Sequence, residues 1–582
     1  MTFDFAAVQS DCWDIRDLHS SLAAAAPFIR FWTSDPNPTL DENLGLVLQG
    51  VVTDSIQGNF PTLKNKPGTG SIRLRANHYV AQWLINLPTT SNPQNVVITV
   101  DTMGGANRWS GLMHHWQIVK DQSGVYYLDV TFIDDLQYID FLLGAPNPAL
   151  PIDIFQFPRV LPYFGPSCWG ISVFLLIQLM RVESNWLQVP DDPFDLPDWW
   201  EDANPQNWQV LISCPPLLED TSLWTILATR MAKMSTVIAD ALEDSQQVLV
   251  YRRCLTVDGE TPADYGIDYV STCKNGAVML QVVDQSGFYT GSGTPTTGGI
   301  FGGFVRTIAT WGDGFVENGS ELVSDDEYIY PDEYYQPGAV TELAGYIFGT
   351  SWTVPATPWL VIRDSPWSQV QTGQLTYSPA TACTVIVGGD NQYADQAINL
   401  AIEATGDILG YLLLGGFSSA GDIAASIIMP FIQGTVLAWI EWKNVSRTQN
   451  LGWAHLYETY QQGAESNVWS LAGIQALRAG FEATKALTTQ QVQYGCGGPY
   501  YPGLQYSIGQ RVGVTMEYLY GYILISQVEK ITLAWDITAD SQHTYETVIG
   551  EGKASKTAAE RQAELVSKAM DLIANEGVHL LS

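Results

Sequence analysis

Residues Gly406 to Trp442 read GDILGYLLLGGFSSAGDIAASIIMPFIQGTVLAWIEW, and the reading of this stretch decides how the rest of the chain is taken. Its only charged residues are Asp407, Asp422 and Glu441. A membrane-spanning helix needs about 20 consecutive apolar residues. Asp422 divides the stretch into the uncharged runs 408–421 and 423–440, and Pro430 with Gly410, Gly415, Gly416, Gly421 and Gly434 interrupts it further. A carboxylate at the centre of a span costs roughly 2.5–3.5 kcal/mol. No Lys or Arg cluster flanks the first run; the basic residues on either side are Arg363 and Lys443. The stretch therefore reads as a buried or interface-forming helical pair with a Gly-rich turn. Its apolar partner must come from the chain's own core or from further copies of the chain. The residues expected at such an interface are Ile423, Ile427, Pro430, Phe431, Leu437, Trp439 and Ile440.

Composition points the same way. A chain of 582 residues exceeds one hydrophobic core and implies several domains. Hydrophobic residues make up 46% of it and charged residues only 15%, where about a quarter is usual. Aromatic residues reach 12%, with 20 Trp and 27 Tyr. The centres of protein interfaces are aromatic-rich and charge-poor. The profile thus favours a subunit that hides much of its surface in an assembly over an ordinary β-rich protein with aromatic strands. Acidic residues outnumber basic ones 61 to 27, a net charge of −34, so nucleic-acid binding by a basic patch is excluded. Seven scattered cysteines, without a C-x-x-C pair, argue against a disulfide framework or zinc site and for synthesis in a reducing compartment. Met1 to Ser21 carries Asp4, Asp11 and Asp14 and lacks the basic-then-apolar pattern of a secretory signal.

Patterning predicts an α+β multidomain chain. Residues 1–150 read as β-rich, with alternation from Ser71 through Val80 and Gln82, a buried-type run Val96–Val100, and a hairpin of Leu112–Val119 with Val125–Phe132. A short helix over Asp134–Leu143 closes that unit. Residues 151–246 read as a Pro-rich connection and a helical region. Its first helix is Trp169–Val182, capped by Ser167, and its second starts at Thr221 or Ser222 with the stripe Leu223, Leu227, Met231, Met234, Ile238, Leu242. A second β-rich part with acidic loops spans 247–382, opening on the strands Val248–Thr256 and Ala277–Val283. An α-rich region holding the apolar stretch spans 383–500, with a strand at Thr384–Val387 and helices at Asp395–Leu414 and Asn467–Thr488. A late β unit at 501–550 is expected to pack back on an earlier one, because about 30 strand residues cannot bury enough surface alone. Residues 551–582 read as a C-terminal amphipathic helix.

A search for chemistry finds no catalytic constellation. Gly416-Phe417-Ser418-Ser419-Ala420 lacks the last glycine of a nucleophile elbow, and Gly552-Lys553-Ala554 lacks the hydroxyl residue of a phosphate loop. His114-His115 has no third metal ligand in sequence range. Asp258-Gly259-Glu260 reads as a hairpin turn and not a calcium loop. No catalytic, cofactor-binding or metal residue is assigned, and no enzyme is expected.

A set of short segments, in order along the chain, carries a resemblance. They are Asn107-Arg108-Trp109-Ser110-Gly111, then Phe132-Ile133-Asp134-Asp135-Leu136, Pro146-Asn147-Pro148, Phe155-Gln156-Phe157-Pro158-Arg159 and Gly165-Pro166. Leu242-Glu243-Asp244, Asp258-Gly259-Glu260, Arg447 with Leu451-Gly452, and Tyr506-Ser507-Ile508-Gly509-Gln510-Arg511-Val512 complete it. In this order, over roughly residues 40–550, they resemble the large minor tail proteins of long-tailed actinobacteriophages, similar to tail-tip hub proteins. Gln510 departs from the Gly-Asp usual there. The resemblance implies a homotrimeric hub of β-barrel-like domains with α-helical and α/β insertions, assembled in the host cytoplasm and carried at the virion tail tip. It implies partners in the distal tail protein ring, the tape measure protein and downstream minor tail proteins, and a tube closed until genome delivery. The seven interface residues are then expected to form an assembly interface or a tube-closing segment, with membrane contact, if at all, only on triggering. The competing expectation is a carbohydrate-binding or cell-wall-degrading tail-tip protein.

Overall fold

The computed structural model describes residues 5–34, 45–90, 94–150, 152, 157, 160–184, 203–285, 321–324, 360–365, 370–388, 439–462, 477, 480, 481, 483–495, 500–519, 521–537 and 541–550. The chain is α+β and dominated by sheets. Its first part forms seven strands: β1 (Phe28–Ser34), β2 (Leu46–Val52), β3 (Gln57–Leu63), β4 (Thr69–Arg75), β5 (Val96–Thr102), β6 (Asn107–Lys120) and β7 (Tyr126–Asp134). Their lateral order is β3-β4-β7-β6-β5-β1-β2. The β6–β7 hairpin turns through Asp121 to Gly124, where the Asp121 carboxylate accepts from Ser123 and from the Val125 N–H and Gly124 takes φ 87°. Alternation sends Ile29, Phe31, Ile72, Leu74, Val96, Ile98, Val100, Trp109, Leu128, Val130 and Phe132 into one large core. Two helices in this β-rich part were not expected from its pattern. Helix α1 (Phe5–Ala24) precedes β1, and α2 (Tyr79–Asn86) occupies the place where alternation was expected to run on. The His78 imidazole accepts the Val80 N–H and so starts α2, whose Val80, Ala81 and Leu84 join the core. The closing helix, α3, is limited to Gln137–Asp140.

The second part packs helices on short strands. These are β8 (Leu143–Gly144), β9 (Leu161–Pro166), β10 (Val210–Ile212), β11 (Trp224–Thr229), β12 (Ala232–Lys233), β13 (Gln247–Cys254) and β14 (Ala277–Asp284). Helix α4 (Ser167–Glu183) buries Ile171, Leu175 and Leu179 against Ile238 and Leu242 of the helix Met234–Asp244 and against Val278 and Leu280 of β14. Ser167 does not cap α4. Its hydroxyl accepts from the Gln247 amide, and the helix start is held from outside: Asp220 accepts the Trp169 N–H and Ser222 Oγ accepts the Cys168 N–H. The stripe from Leu223 is not one helix. Trp224–Thr229 pairs antiparallel with Leu161–Pro166, Met231 takes φ 61°, and the helix begins only at Met234. Leu223 and Leu227 are both buried, because a spacing of four residues keeps one face in a strand as well as in a helix.

The late strands are β15 (Glu321–Ser324), β16 (Val361–Ile362), β17 (Val370–Ser378), β18 (Ala382–Gly388), β19 (Trp439–Lys443), β20 (Leu456–Gln462), β21 (Leu487–Gly495), β22 (Arg511–Val514), β23 (Tyr522–Asp536) and β24 (Ser541–Ile549). Strand β23 is the hinge of the topology. Its first half pairs with β15 and β22, and its second half runs between β24 and β3. The late strands thereby extend the first sheet in the order β17-β21-β24-β23-β3, and Val492, Val512, Val528, Leu533, Trp535 and Ile549 enter the same core as Phe31 and Phe132. Among the described residues this order has two ends, so the barrel-like expectation meets an open sheet rather than a closed barrel. A separate three-stranded sheet, β19-β18-β20, carries the end of the opening stretch. Trp439 and Ile440, expected at the end of a helix, lie in a strand opposite Gly388 and Val387. The Leu487–Gly495 strand likewise takes over the end of the helix expected over Asn467–Thr488.

Candidate functional site

The face of the first sheet turned away from its core is polar. On β1, Phe31 points to the core while Arg30 and Trp32 point the other way; on β5, Val97, Thr99 and Asp101 do the same, and on β6, Arg108 and Ser110. The second part covers this face through the end of β13 and the turn after it. Leu255 packs on Trp32 and Val97, and Thr256–Asp258 forms a 3₁₀ turn ended by Gly259 at φ 86°. Every residue of β5 is buried, because both its faces are covered.

Four guanidiniums and four carboxylates meet there. Arg30 grips Asp258 with both terminal nitrogens (2.9 and 2.8 Å) and reaches Asp101 at 2.6 Å. Arg108 binds the other oxygen of Asp101 at 2.5 Å, Glu260 at 2.7 Å and the Arg253 carbonyl at 2.8 Å. Arg252 reaches Glu260 at 3.2 Å and the carbonyls of Gly105 and Ala106 at 2.6 and 3.0 Å. Arg253 binds Asp135 at 2.6 Å and the Gly276 carbonyl at 2.7 Å, and Ser110 donates to the same Asp135. Burial works against the charge of Arg30, Arg108 and Arg253, yet the facing carboxylates outweigh it and hold all three above the usual arginine range. Glu260 is also desolvated, but the Leu255 N–H and Arg108 hold its carboxyl below the usual range. Matched charges, each bonded, make a closed clasp between two parts of the chain. They leave no carboxylate free to act as a base.

A second clasp holds the start of β13. Asn65, at φ 55°, donates to the Gln247 carbonyl and accepts the Leu249 N–H through its side chain. Arg511 donates to the Gln246 side chain at 3.2 Å, and Gln527 donates to the Gln246 carbonyl at 3.1 Å. Lys64 joins Gln527 and Glu529 beside it. Val248 lies so close to Gly509 that an added Cβ would stand 2.0 Å from it. Strand β13 is therefore tied at one end to β1, β5 and β6 and at the other to β22, β23 and the turn before β4.

Of the seven interface residues expected from the sequence, Ile423, Ile427, Pro430, Phe431 and Leu437 lie outside the described residues, as do Gly416–Ala420 and Gly552–Lys553. Trp439 and Ile440 stand on β19, remote in the topology from the clasps. His114 and His115 contact each other at 2.8 Å on the exposed part of β6, and no cluster of three or more metal-ligating side chains occurs among the described residues. No helix among them is long and apolar enough to cross a membrane. The clasp itself was missed by motif search. The available signal was a charge inside a run otherwise patterned for burial: Arg30 in Phe28–Trp32 and Asp101 after Val96–Val100.

Four of the segments that carried the resemblance converge on this geometry. Arg108 and Ser110, Asp134 and Asp135, Asp258 and Glu260, and Gly509 and Arg511 all sit in or beside the two clasps. Arg447 holds a third junction, donating to the Ala382 carbonyl, Thr484 Oγ1 and the Phe481 carbonyl. Over residues 40–551 the chain matches the family described as Siphovirus ReqiPepy6 Gp37-like protein. It is 27% identical over 549 residues to the minor tail protein Gp28 of Mycobacterium phage L5, covering 86% of this chain and 88% of that one. To the minor tail protein Gp28 of Mycobacterium phage D29 it is 29% identical over 401 residues, covering 66% and 64%. Among solved structures, the 43 kDa tail protein of prophage MuSo2 from Shewanella oneidensis aligns with TM-score 0.38 and 8% identity over 91% of this chain and 99% of that one.

Proposed function

The chain belongs to the Siphovirus ReqiPepy6 Gp37-like protein family, and on that premise we propose that it is a structural minor tail protein of the virion, a hub at the tail tip and not an enzyme. The observation that supports this most is the use made of the segments that carry the resemblance. Among the described residues, four of them build hydrogen-bonded, charge-paired clasps that tie the first sheet and the late strands to β13. The buried acids Asp101, Asp134, Asp135 and Asp220 all accept hydrogen bonds that fix backbone or a guanidinium. A hub has to hold several domains in register under load, and charge-assisted bonds between sheets serve that purpose. In this reading three copies assemble around the tube axis, bound to the distal tail ring, the tape measure protein's end and the downstream minor tail proteins. The apolar segment with Ile423, Ile427, Pro430, Phe431, Leu437, Trp439 and Ile440 closes the tube until genome delivery and meets a membrane only on triggering.

Native mass measurement of the purified protein tests the assembly: three times the 64.1 kDa chain is expected. A strictly monomeric protein, together with antibody label spread along the tail tube of intact particles, would overturn the hub reading. A second reading, carbohydrate binding at the tail tip, draws on exposed aromatics beside β20: Trp453 is 99% exposed and Tyr457 79%. Incubation with peptidoglycan and arabinogalactan separates the two. Binding without product favours the second reading, and released sugar or peptide refutes the non-enzymatic one.

A further inference from the structure

The turn that completes the first clasp is bracketed by two cysteines. Cys254 ends β13 and Cys273 precedes β14, 19 positions later, and their sulfurs stand 3.6 Å apart and share a hydrogen bond. Both are free thiols. Cys254 is buried in a small cluster with Trp208, Leu211, Ile267, Val270 and Met279, while Cys273 is partly exposed beside the exposed Ser271 and Thr272. A disulfide bond is about 2.05 Å long. Closing the gap therefore needs a sulfur movement of side-chain size, with the two segments already held together by the Gly276 N–H bond to the Cys254 carbonyl. Between the cysteines lie Asp258 and Glu260, the acids that grip Arg30, Arg108 and Arg252.

We propose that Cys254 and Cys273 form a redox modification site: a disulfide that closes after the protein leaves a reducing compartment and staples the turn carrying Asp258 and Glu260 onto the first sheet. The oxidant is a small disulfide such as oxidised glutathione. The thiolate of the accessible Cys273 attacks one of its sulfurs, forming a mixed disulfide and releasing one glutathione thiolate. Cys254 then attacks the Cys273 sulfur, and the second glutathione leaves. Two protein thiols are oxidised, one glutathione disulfide is reduced to two thiols, and the two thiol protons end on the released glutathiones. The roles suit the site. Cys273 is partly exposed and open to a small disulfide, while Cys254 is buried directly beside it, so Cys273 is the first nucleophile and Cys254 the resolving thiol. Cross-linking removes freedom mainly from the unfolded chain, so the oxidised form gains stability.

The test uses the full chain, purified reduced and then exposed to oxidised glutathione, with non-reducing peptide mass spectrometry. The expected result is a Cys254–Cys273 linked peptide, a mass loss of two hydrogens, and a melting temperature raised by several degrees and returned by dithiothreitol. Slowed amide exchange over residues 255–272 is expected with it. C273S keeps the buried Cys254 and should abolish both the link and the shift. Particles released from lysed cells into medium should carry the link, and protein alkylated inside the cell should not. Cys273 ending as a stable glutathione adduct, both thiols staying alkylatable, or a link that leaves melting and exchange unchanged would each refute the proposal.

Discussion

Asp134 shows how one residue at the junction can be read as a thermodynamic element. Its two oxygens accept the N–H groups of Gly68 (2.6 Å) and Leu136 (3.0 Å), and it is wholly buried next to Asp135. Burial raises its carboxyl from 3.8 to about 7, against those two bonds and with help from the charge of Asp135. A folded-state pKa above the unfolded one means that the native protein takes up the proton more readily. The resulting stabilisation is complete below about pH 4 and is lost as pH rises to about 7. About 1.4 kcal/mol per pH unit caps the effect near 4 kcal/mol. Glu260 works in a different window: its lowered pKa gives stability present above its ordinary range and lost only as pH falls below it. Chemical denaturation of the parent and of Asp134→Asn at pH 5 and pH 8 distinguishes the two. The variant, whose amide nitrogen cannot accept a backbone N–H, should be the less stable at pH 5, and the difference should shrink by one to a few kcal/mol at pH 8. Parallel pH curves would show that Asp134 stays ionised throughout. The pairing of Asp134 with Asp135 is visible in the sequence, but its burial is not, because the strand β13 that covers it comes more than a hundred residues later.

Among the elements, those specified by local pattern were legible and those specified by distant partners were not. The β6–β7 hairpin, the run at β5, the pair β13–β14 and the strand Ala382–Gly388 follow from alternation and turn residues close at hand. Helix α2 was hidden because Val80 and Gln82 continue an alternation whose cap, His78, is not among the usual ones. The Leu223–Leu242 stripe misled because Leu223 and Leu227 satisfy both periods, and only pairing with β9, some sixty residues upstream, decides for a strand. Helix α4 illustrates the same dependence at its first turn. Ser167 has the right chemistry for a cap, yet the helix takes its acceptors from Asp220 and Ser222, fifty residues downstream. A carboxylate at a helix N-terminus also meets the positive end of the helix dipole. Asp220→Ala leaves the Trp169 and Ser222 N–H groups without that acceptor in a buried site, and should lower stability by about 1–3 kcal/mol. Asp220→Asn, which retains one acceptor oxygen, should recover part of this. Urea unfolding of both variants checks it, and a loss below about 0.5 kcal/mol in Asp220→Ala would assign the cap to Ser222 alone.

At the scale of the whole molecule, the sheet is made of segments hundreds of residues apart. Strand β23 lies against β3 from Lys530–Leu63 to Asp536–Gln57, and the Trp535 ring lies over Gly58, where an added Cβ would come within 2.1 Å of it. Phe60 stacks on Trp535 with ring centroids 5.5 Å apart and tilts against Trp109 at 4.9 Å, so one aromatic column joins β23, β3 and β6. The size of the late β unit alone says that it needs a partner; which strand it joins depends on the Gly58–Trp535 fit, which no local pattern announces. Without residues 500–550, β3 becomes an open edge beside a core missing Val512, Val528, Leu533, Trp535 and Ile549. Residues 1–150 produced alone should therefore aggregate or exchange their amides rapidly, and residues 500–550 alone should show no cooperative unfolding. Produced together in one cell as two chains, they should co-purify through the β3–β23 edge, and Gly58→Val should abolish that capture by displacing Trp535. A cooperatively folded 500–550 fragment, or a 1–150 fragment as protected from exchange alone as in the full chain, would mean that β23 docks on a finished domain. Its pairing with β3 would then add to the first sheet without completing it.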